Sequence, residues 1–295
     1  MPTYSGGPSH EDGTFNILIG GKNGSLVDTM IFAHLDDNDK TVDLISIPRD
    51  LYYNGRKINH YPFYYGMDEF KRTLGNITGY QLDRYIVIDM YAFIDVIDLI
   101  GGIDVHLDDA VIDPTYKTLD NGVWGTLHYE PGDYHLNGRE ALRLARTRHT
   151  SSDFARASRQ QKILEAIQSK AKNFGFGDAK TIYDIVKAIL AKTETDISLA
   201  EAVQYYFKYQ SFKISSNHVI SSGNICYVPP YITKENCGKA IEEWQAKKDA
   251  GTATDAERPD CEGKLDAYTL LPRENNWNLI KWYFKEIFDG KGLDY

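Results

Sequence analysis

Between Arg139 and Lys162 the chain carries seven cations, Arg139, Arg143, Arg146, Arg148, Arg156, Arg159 and Lys162, opposed only by Glu140 and Asp153. The whole protein has a formal net charge of −9, so this stretch is a positive island in an acidic chain. Spacing says more than the count. Arg146 and Arg148 are two apart and share one face of an extended segment. Arg156 and Gln160 are four apart on a helical pattern, for which Asp153 is the expected N-cap. The stripe they begin continues through Ile163, Leu164 and Ile167, apolar side chains that belong in an interior. Arg156 and Gln160 therefore turn inward on the first turns of a helix. A helix start offers free N–H groups and a positive dipole end. Guanidinium forks added there make a site for phosphate or pyrophosphate. A charge run is most often a solvated helix face, and the shared apolar stripe is what argues against that here.

A second set of candidates stands at strand edges: Val27-Asp28-Thr29-Met30, Ser46-Ile47-Pro48-Arg49-Asp50 and Arg56-Lys57-Ile58-Asn59. Arg49 follows a strand and a proline, a rigid place from which to aim a side chain. Asp28 leads into a strand. Taken singly, Asp28 reads as a cap or turn residue and Arg49 as a surface partner of Asp50.

These residues need a scaffold, and the pattern describes one. Phe15–Ile19 reads as a strand leaving into a loop at Gly20-Gly21. Met30–Leu35 and Thr41–Ile47 form a hairpin around Asp36-Asp37-Asn38-Asp39. Arg84–Asp89 is a strand, and Phe93, Val96, Ile97 and Ile100 mark an amphipathic helix closed by Gly101-Gly102. A strand starts at Ile103-Asp104-Val105, and 108–134 reads as loop-rich. Helical patterns fill 139–145, 154–173, 178–192 and 198–209, and Trp277 to Phe288 closes the chain. Strands interleaved with helices predict an α/β (α+β) fold around a central mixed sheet. Residues 1–13 read as a disordered lead, 14–290 as a single domain and 233–264 as a surface excursion within it.

The bulk numbers exclude some functions. The acidic balance is wrong for a general nucleic-acid binder. No apolar run reaches the roughly 18 residues of a membrane span, and the N-terminus lacks the marks of a signal peptide. Cys226, Cys237 and Cys261 are too few for a disulfide scaffold; two readings stay open, a Cys237–Cys261 bridge closing the polar segment between them outside the cell, or free thiols.

Together these pieces resemble the LytR-CpsA-Psr family of cell-wall glycopolymer phosphotransferases. The matching stretches are Asn16-Ile17-Leu18-Ile19-Gly20, Val27-Asp28-Thr29-Met30, Ser46-Ile47-Pro48-Arg49-Asp50, Lys57-Ile58-Asn59, Gly101-Gly102-Ile103-Asp104-Val105, Gly132 through Leu142, and the signature Arg146 through Gln161. Order and spacing agree over about residues 14–172. The resemblance implies a sheet flanked by helices, with a hydrophobic pocket for a polyprenyl chain. It places Arg49, Lys57, Arg146, Arg148, Arg156 and Gln160 around the lipid's pyrophosphate. It also implies a single N-terminal transmembrane anchor ahead of this sequence, with the domain on the extracellular face.

The implied reaction moves a glycopolymer, such as teichoic acid or capsule, from polyprenyl pyrophosphate to a peptidoglycan sugar hydroxyl and releases polyprenyl phosphate. Asp28 has two roles open to it, magnesium ligand or proton acceptor, and Arg49, Arg146 and Arg148 would stabilise transferring charge. The same residues would serve a hydrolase of the same lipid or a non-catalytic lipid- or glycan-binding module. One departure bears on the metal. Where the family usually carries a second magnesium-binding aspartate, Lys22 stands, and the arginine often found two residues before Asp28 is Leu26. A lysine there implies direct neutralisation of the pyrophosphate and a lower need for Mg2+.

Overall fold

The computed structural model describes residues 8–120, 122–147, 153–173, 178–229, 237–259 and 268–290. In chain order the elements are β1 (Thr14–Asn23), β2 (Leu26–Asp36), β3 (Thr41–Ser46), β4 (Tyr52–Tyr53), β5 (Arg56–Lys57), α1 (Tyr61–Thr78), β6 (Arg84–Asp89), α2 (Met90–Leu99), β7 (Ile103–Leu107), β8 (Val111–Asp120), β9 (Val123–Tyr129) and β10 (Gly132–Leu136). There follow α3 (Gly138–Arg146), α4 (Asp153–Ala171), α5 (Ala179–Leu190), β11 (Thr193–Thr195), α6 (Leu199–Tyr209), β12 (Lys213–Val219), β13 (Cys226–Tyr227), α7 (Cys237–Asp249), β14 (Leu271–Pro272) and α8 (Asn278–Phe288).

Six strands form the central mixed sheet in the order β11-β6-β1-β2-β3-β12. β1 pairs antiparallel with β2 and parallel with β6, and β12 runs parallel to β3. Both faces are buried, so β2 reads as a nearly continuous apolar run. Leu18, Met30, Phe32 and Ile45 face one core with Phe70 and Leu74 of α1 and Phe284 of α8. Ile31, Ala33 and Leu44 face the other side, against Phe212 and Leu164. A third cluster joins α2, α3, α4, β7 and β10 through Ile97, Ile103, Leu136, Leu144 and Ile163. This third unit leans over the end of the sheet near β1 and β6, and the gap beneath it becomes the site. Its packing is close. The α3 start lies on α2 at Gly138, where a Cβ would collide with the Ile94 carbonyl.

Three expectations change. β1 does not leave into a loop at Gly20; it continues through Gly20-Gly21 to Asn23, with a bulge between Gly21 and Lys22. Gly20 permits this because a Cβ there would sit 2.8 Å from Val87 Cγ2. The segment 108–134 is largely a β8–β9 hairpin followed by β10. The expected disordered lead is tied down from Ser9, whose N–H donates to the Gly79 carbonyl at 2.8 Å and whose carbonyl accepts from Gln81 at 2.8 Å. Cys226 is a buried free thiol, pushed up to about 12 by burial. Cys237 is in a disulfide, and Cys261 lies outside the described residues.

Candidate active site

Two cavities meet at one group of side chains. The first, of about 560 Å³, lies under the leaning helical unit. Its walls are mostly apolar: Ile19 and Ile31 from the sheet, Phe93 from α2, Leu142 from α3, and Ile163 and Leu164 from α4. The second, of about 710 Å³, opens beyond the end of β3 and carries Ser46, Asp50, Ser221, Ser222, Asn224 and Tyr268. Asp28, Thr29, Arg49, Arg156 and Gln160 line both. Met30, Ile47, Val219, Ile220 and Leu270 line the second cavity as well, so both chambers have largely apolar walls, and the five shared residues form a polar waist between them.

Local structure explains each position. Arg156, Gln160, Ile163 and Leu164 fall on one stripe of α4 and all reach the first cavity. Gln160 is held there by donating to Thr29 Oγ1 at 3.1 Å and to the Ala145 carbonyl at 3.2 Å. Its neighbour Gln161, on the next face, instead pins α4 to the sheet through Ser46 Oγ and the His218 carbonyl. Arg49 emerges after Pro48 and donates to Asp28 Oδ1 at 3.0 Å, with Asp50 at 3.4 Å on its other side. Burial works against the Arg49 cation, but the Asp28 and Asp50 carboxylates outweigh it and its pKa is raised. Arg49 is therefore a permanent charge at the waist. Asn59, at 3.4 Å, is the other donor to Asp28 Oδ1.

The basic island separates into roles. Arg146 is exposed at the rim of the first cavity. Arg143 makes a bidentate pair with Asp120, both contacts at 2.8 Å. Lys162 pairs with Asp108. Arg159 is buried and caps the end of α3, donating to the carbonyls of Leu144 and Thr147. Thr147 in turn donates to Asp113 Oδ2 at 2.6 Å. Burial, and then repulsion from Arg156, lower the pKa of Arg159. An anion there would relieve that repulsion. Asp153 begins α4, with its side chain outside the described residues, and Arg148 also lies outside them.

Two candidates stand differently from expectation. Lys57 lines neither cavity; it pairs with Asp50 at 3.0 Å and so braces the residue next to Arg49. Lys22 does line the first cavity, but its ammonium pairs with Glu194 at 2.7 Å rather than with Asp28. Sequence reasoning missed Thr29, the Ser221–Asn224 loop and Tyr268. The polar run Ser221-Ser222-Gly223-Asn224 directly after a strand was the available signal.

Asp28, Arg49, Arg156 and Gln160 share both cavities, with Arg146 on the first. Residues 3–240 match the LytR_cpsA_psr family. The chain belongs to this family. It is 32% identical over 239 residues to the polyisoprenyl-teichoic acid–peptidoglycan teichoic acid transferase TagV of Bacillus subtilis, covering 73% of this chain and 59% of that protein. It is 26% identical over 206 residues to the TagU transferase of Bacillus cereus, covering 67% of this chain and 63% of the relative. The chain thus spans about three fifths of the length of these curated relatives. The crystal structure of B. subtilis TagV superposes with a TM-score of 0.65 at 24% identity, covering 95% of this chain and 99% of that one. A structure of TagT bound to LI-WTA gives 0.55 at 23% identity, covering 75% and 80%. At these identities the structural likenesses establish the fold, a mixed sheet flanked by helices.

Proposed function

We propose that this LytR_cpsA_psr domain transfers a glycopolymer from a polyprenyl-pyrophosphate carrier to a sugar hydroxyl of peptidoglycan. The observation that carries this is the arginine-lined waist shared by two cavities, one under the helices and one bearing Asp50 and the Ser221–Asn224 loop. A polyprenyl tail leaves water in the first cavity, at about 0.8 kcal/mol per buried CH₂. The pyrophosphate lies at Arg49, Arg156 and Gln160, with Arg146 at the rim. The glycan and its acceptor occupy the second cavity, where Asp50, Ser221, Ser222 and Asn224 offer hydrogen-bonding groups. The names of the TagV and TagU relatives describe the same class of donor and acceptor.

In the proposed step an acceptor hydroxyl oxygen bonds to the phosphorus that bears the glycan. The bridging phosphoanhydride bond breaks, and polyprenyl phosphate leaves with the electron pair. The guanidiniums meet the charge on the equatorial and leaving oxygens, which is the main demand of phosphoryl transfer. The hydroxyl proton passes to Asp28, whose Oδ1 is held by Arg49 and Asn59. The proposed setting is the outer face of the membrane, where carrier and wall meet, with the anchor that the family resemblance implies. Among the described residues no helix is long and apolar enough to cross a membrane.

Magnesium fits this donor set poorly. Among the described residues no group of three or more Asp, Glu, His or Cys side chains is placed to hold a metal. Asp89 and Asp113 also line the first cavity, but Asp89 caps α2 through the Tyr91 and Ala92 amides and Asp113 is engaged by Thr115, Tyr116 and Thr147. Asp50, on the second cavity, is paired with Arg49 and Lys57, which leaves Asp28, where a hard cation wants several oxygens. Transfer is therefore expected to persist at a measurable rate under chelation. Lys22→Asp, which loses a cation and gains a carboxylate, should depend on added magnesium. Its half-exposed pair with Glu194 is worth at most about 1 kcal/mol, so the fold should survive. Magnesium titrations of the two proteins that overlay would exclude Lys22 from the site.

Incubating the protein with labelled lipid-linked glycan and wall glycan tests the function as a whole. Label joined to the wall strand supports transfer. Free glycan phosphate points instead to hydrolysis, and unchanged donor to a binding module.

A further inference from the structure

An aromatic groove beside the β4–β5 hairpin has no part in the chemistry above. We infer that it binds the acceptor glycan strand, an inference that rests on the proposed transfer. The first turns of α1 carry Tyr61-Pro62-Phe63-Tyr64-Tyr65 and end at Gly66, whose φ of 80° and ψ of 171° break the helix. The break leaves Phe63, Tyr64 and Tyr65 at 62%, 54% and 49% exposure. Three adjacent rings in water mark an interaction surface.

The rings are held in place. Phe63 meets Tyr64 edge to face at 5.0 Å, and Tyr65 lies 5.3 Å from Tyr61. The Arg56 guanidinium sits 3.9 Å over the Tyr64 ring. Tyr61 is buried and donates its hydroxyl to the Tyr53 carbonyl at 2.7 Å. A cavity of about 320 Å³ opens against this set, lined by Asn54, Tyr61, Tyr65, Glu69 and Thr73. Exposed ring faces flanked by amide, carboxylate and hydroxyl groups suit an amino-sugar strand. The C–H face of a pyranose packs on a ring, and its hydroxyl and N-acetyl groups take the hydrogen bonds. A bilayer surface would have to accommodate the Glu69 carboxylate and the Asn54 amide, which the glycan uses.

Position assigns the strand to the acceptor. Asp50 lines the second cavity, and Lys57 at the end of β5 pairs with it. The other end of the same hairpin carries Asn54 and Arg56. Three residues, Leu51, Tyr52 and Tyr53, separate Asp50 from Asn54, a span of at most about 13 Å, so a strand seated in the groove reaches the second cavity within a few sugar rings. None of the groove residues lines the first cavity.

The probe is a soluble, carrier-free glycan of alternating N-acetylglucosamine and N-acetylmuramic acid, titrated into the protein by calorimetry. Tyr64→Ala and Tyr65→Ala should each weaken binding about ten-fold, the loss of one ring's contact area. Tyr64→Phe keeps the ring face and should bind as wild type. Both rings are exposed, so thermal unfolding of these variants should match wild type. In the transfer assay the alanine variants should raise KM for the acceptor and leave kcat and the donor KM unchanged. Equal glycan affinity for wild type and both alanine variants overturns the inference. So does a rise confined to the donor KM, which would give the groove to the donor's glycan, or association with anionic vesicles that the glycan does not displace. The calorimetric arm needs no turnover, so failure of the transfer reaction is distinguishable from failure of the groove.

Discussion

Arg156→Ala is expected to lower kcat for glycopolymer transfer by about 10²–10³-fold, the size of losing one fixed donor to a developing oxyanion. Arg156 lines both cavities and stands on the first turns of α4, where the helix dipole adds to its charge. Any pyrophosphate spanning the waist must lie against it. The substitution should cost little stability, because Arg156 repels the buried Arg159 and contributes to that residue's lowered pKa. Removing it relieves a like-charge contact. Arg156→Lys keeps the charge and loses the planar fork, so its rate should fall between those of wild type and alanine. Single-turnover assays with labelled lipid-linked glycan, alongside thermal unfolding, make the comparison. A fully active Arg156→Ala protein would remove the pyrophosphate site from the waist.

The second large effect belongs to Asp113, on the wall of the first cavity, which takes no part in the proposed bond exchange. Asp113 is 3% exposed. It accepts from Thr115 N and Tyr116 N at 3.0 Å each, from Thr115 Oγ1 and from Thr147 Oγ1. Thr147 is itself tied to Arg159 through its carbonyl. This latch fixes the end of α3 against the start of α4, which sets where Arg146 and Arg156 point. Asp113→Ala leaves several buried donors without an acceptor and should cost about 3 kcal/mol or more in denaturant unfolding. Transfer should fall with it, since a small misplacement of charged groups is costly to catalysis.

The same carboxylate makes stability depend on pH. Burial alone would raise its pKa, but the hydrogen bonds from Thr115, Thr147 and Tyr116 outweigh burial and hold it well below the usual carboxylate range. As pH falls the unfolded chain takes up the proton first, near its ordinary value of about 3.9. The contribution of Asp113 is therefore complete at neutral pH, declines below about pH 4 to 5, and is lost only as the folded carboxylate itself is protonated. The stability gap between wild type and Asp113→Asn should narrow as pH is lowered from 5 to about 3. A gap that stays constant over that range would mean the hydrogen bonds do not favour the ionised form.

Much of the scaffold was legible because its signals are local. The β2–β3 hairpin announces itself by an acidic turn between apolar runs. β6 begins and ends where its pattern does, at Arg84 and Asp89, and α2 closes at two glycines with φ near +80°. The β8–β9 hairpin was not legible, because Pro114, Gly122 and Gly125 punctuate it and several of its apolar residues are exposed while the polar Asp113 and Thr118 are buried. Val123 and Trp124 are 69% and 72% exposed, so no in–out alternation marks the strands. The continuation of β1 through Gly20-Gly21 depends on Val87 in a strand more than sixty residues away.

By itself the sequence determined the family, the sheet-and-helix class and the inward turn of Arg156 and Gln160. The inward turn follows from spacing along one helix, the class from the order of local patterns, and the family from ordered motifs over about residues 14–172. Only the tertiary structure sorted the basic island, sending Arg146 and Arg156 to the cavities while Arg143, Arg159 and Lys162 hold the scaffold. It alone gave Lys22 to Glu194, 172 positions away, and Lys57 to Asp50. The reason is physical. Which face of a helix is apolar is written in its own period, whereas which carboxylate a long cationic side chain meets depends on how separate elements pack, and that packing is settled only when the sheet and the leaning helices come together.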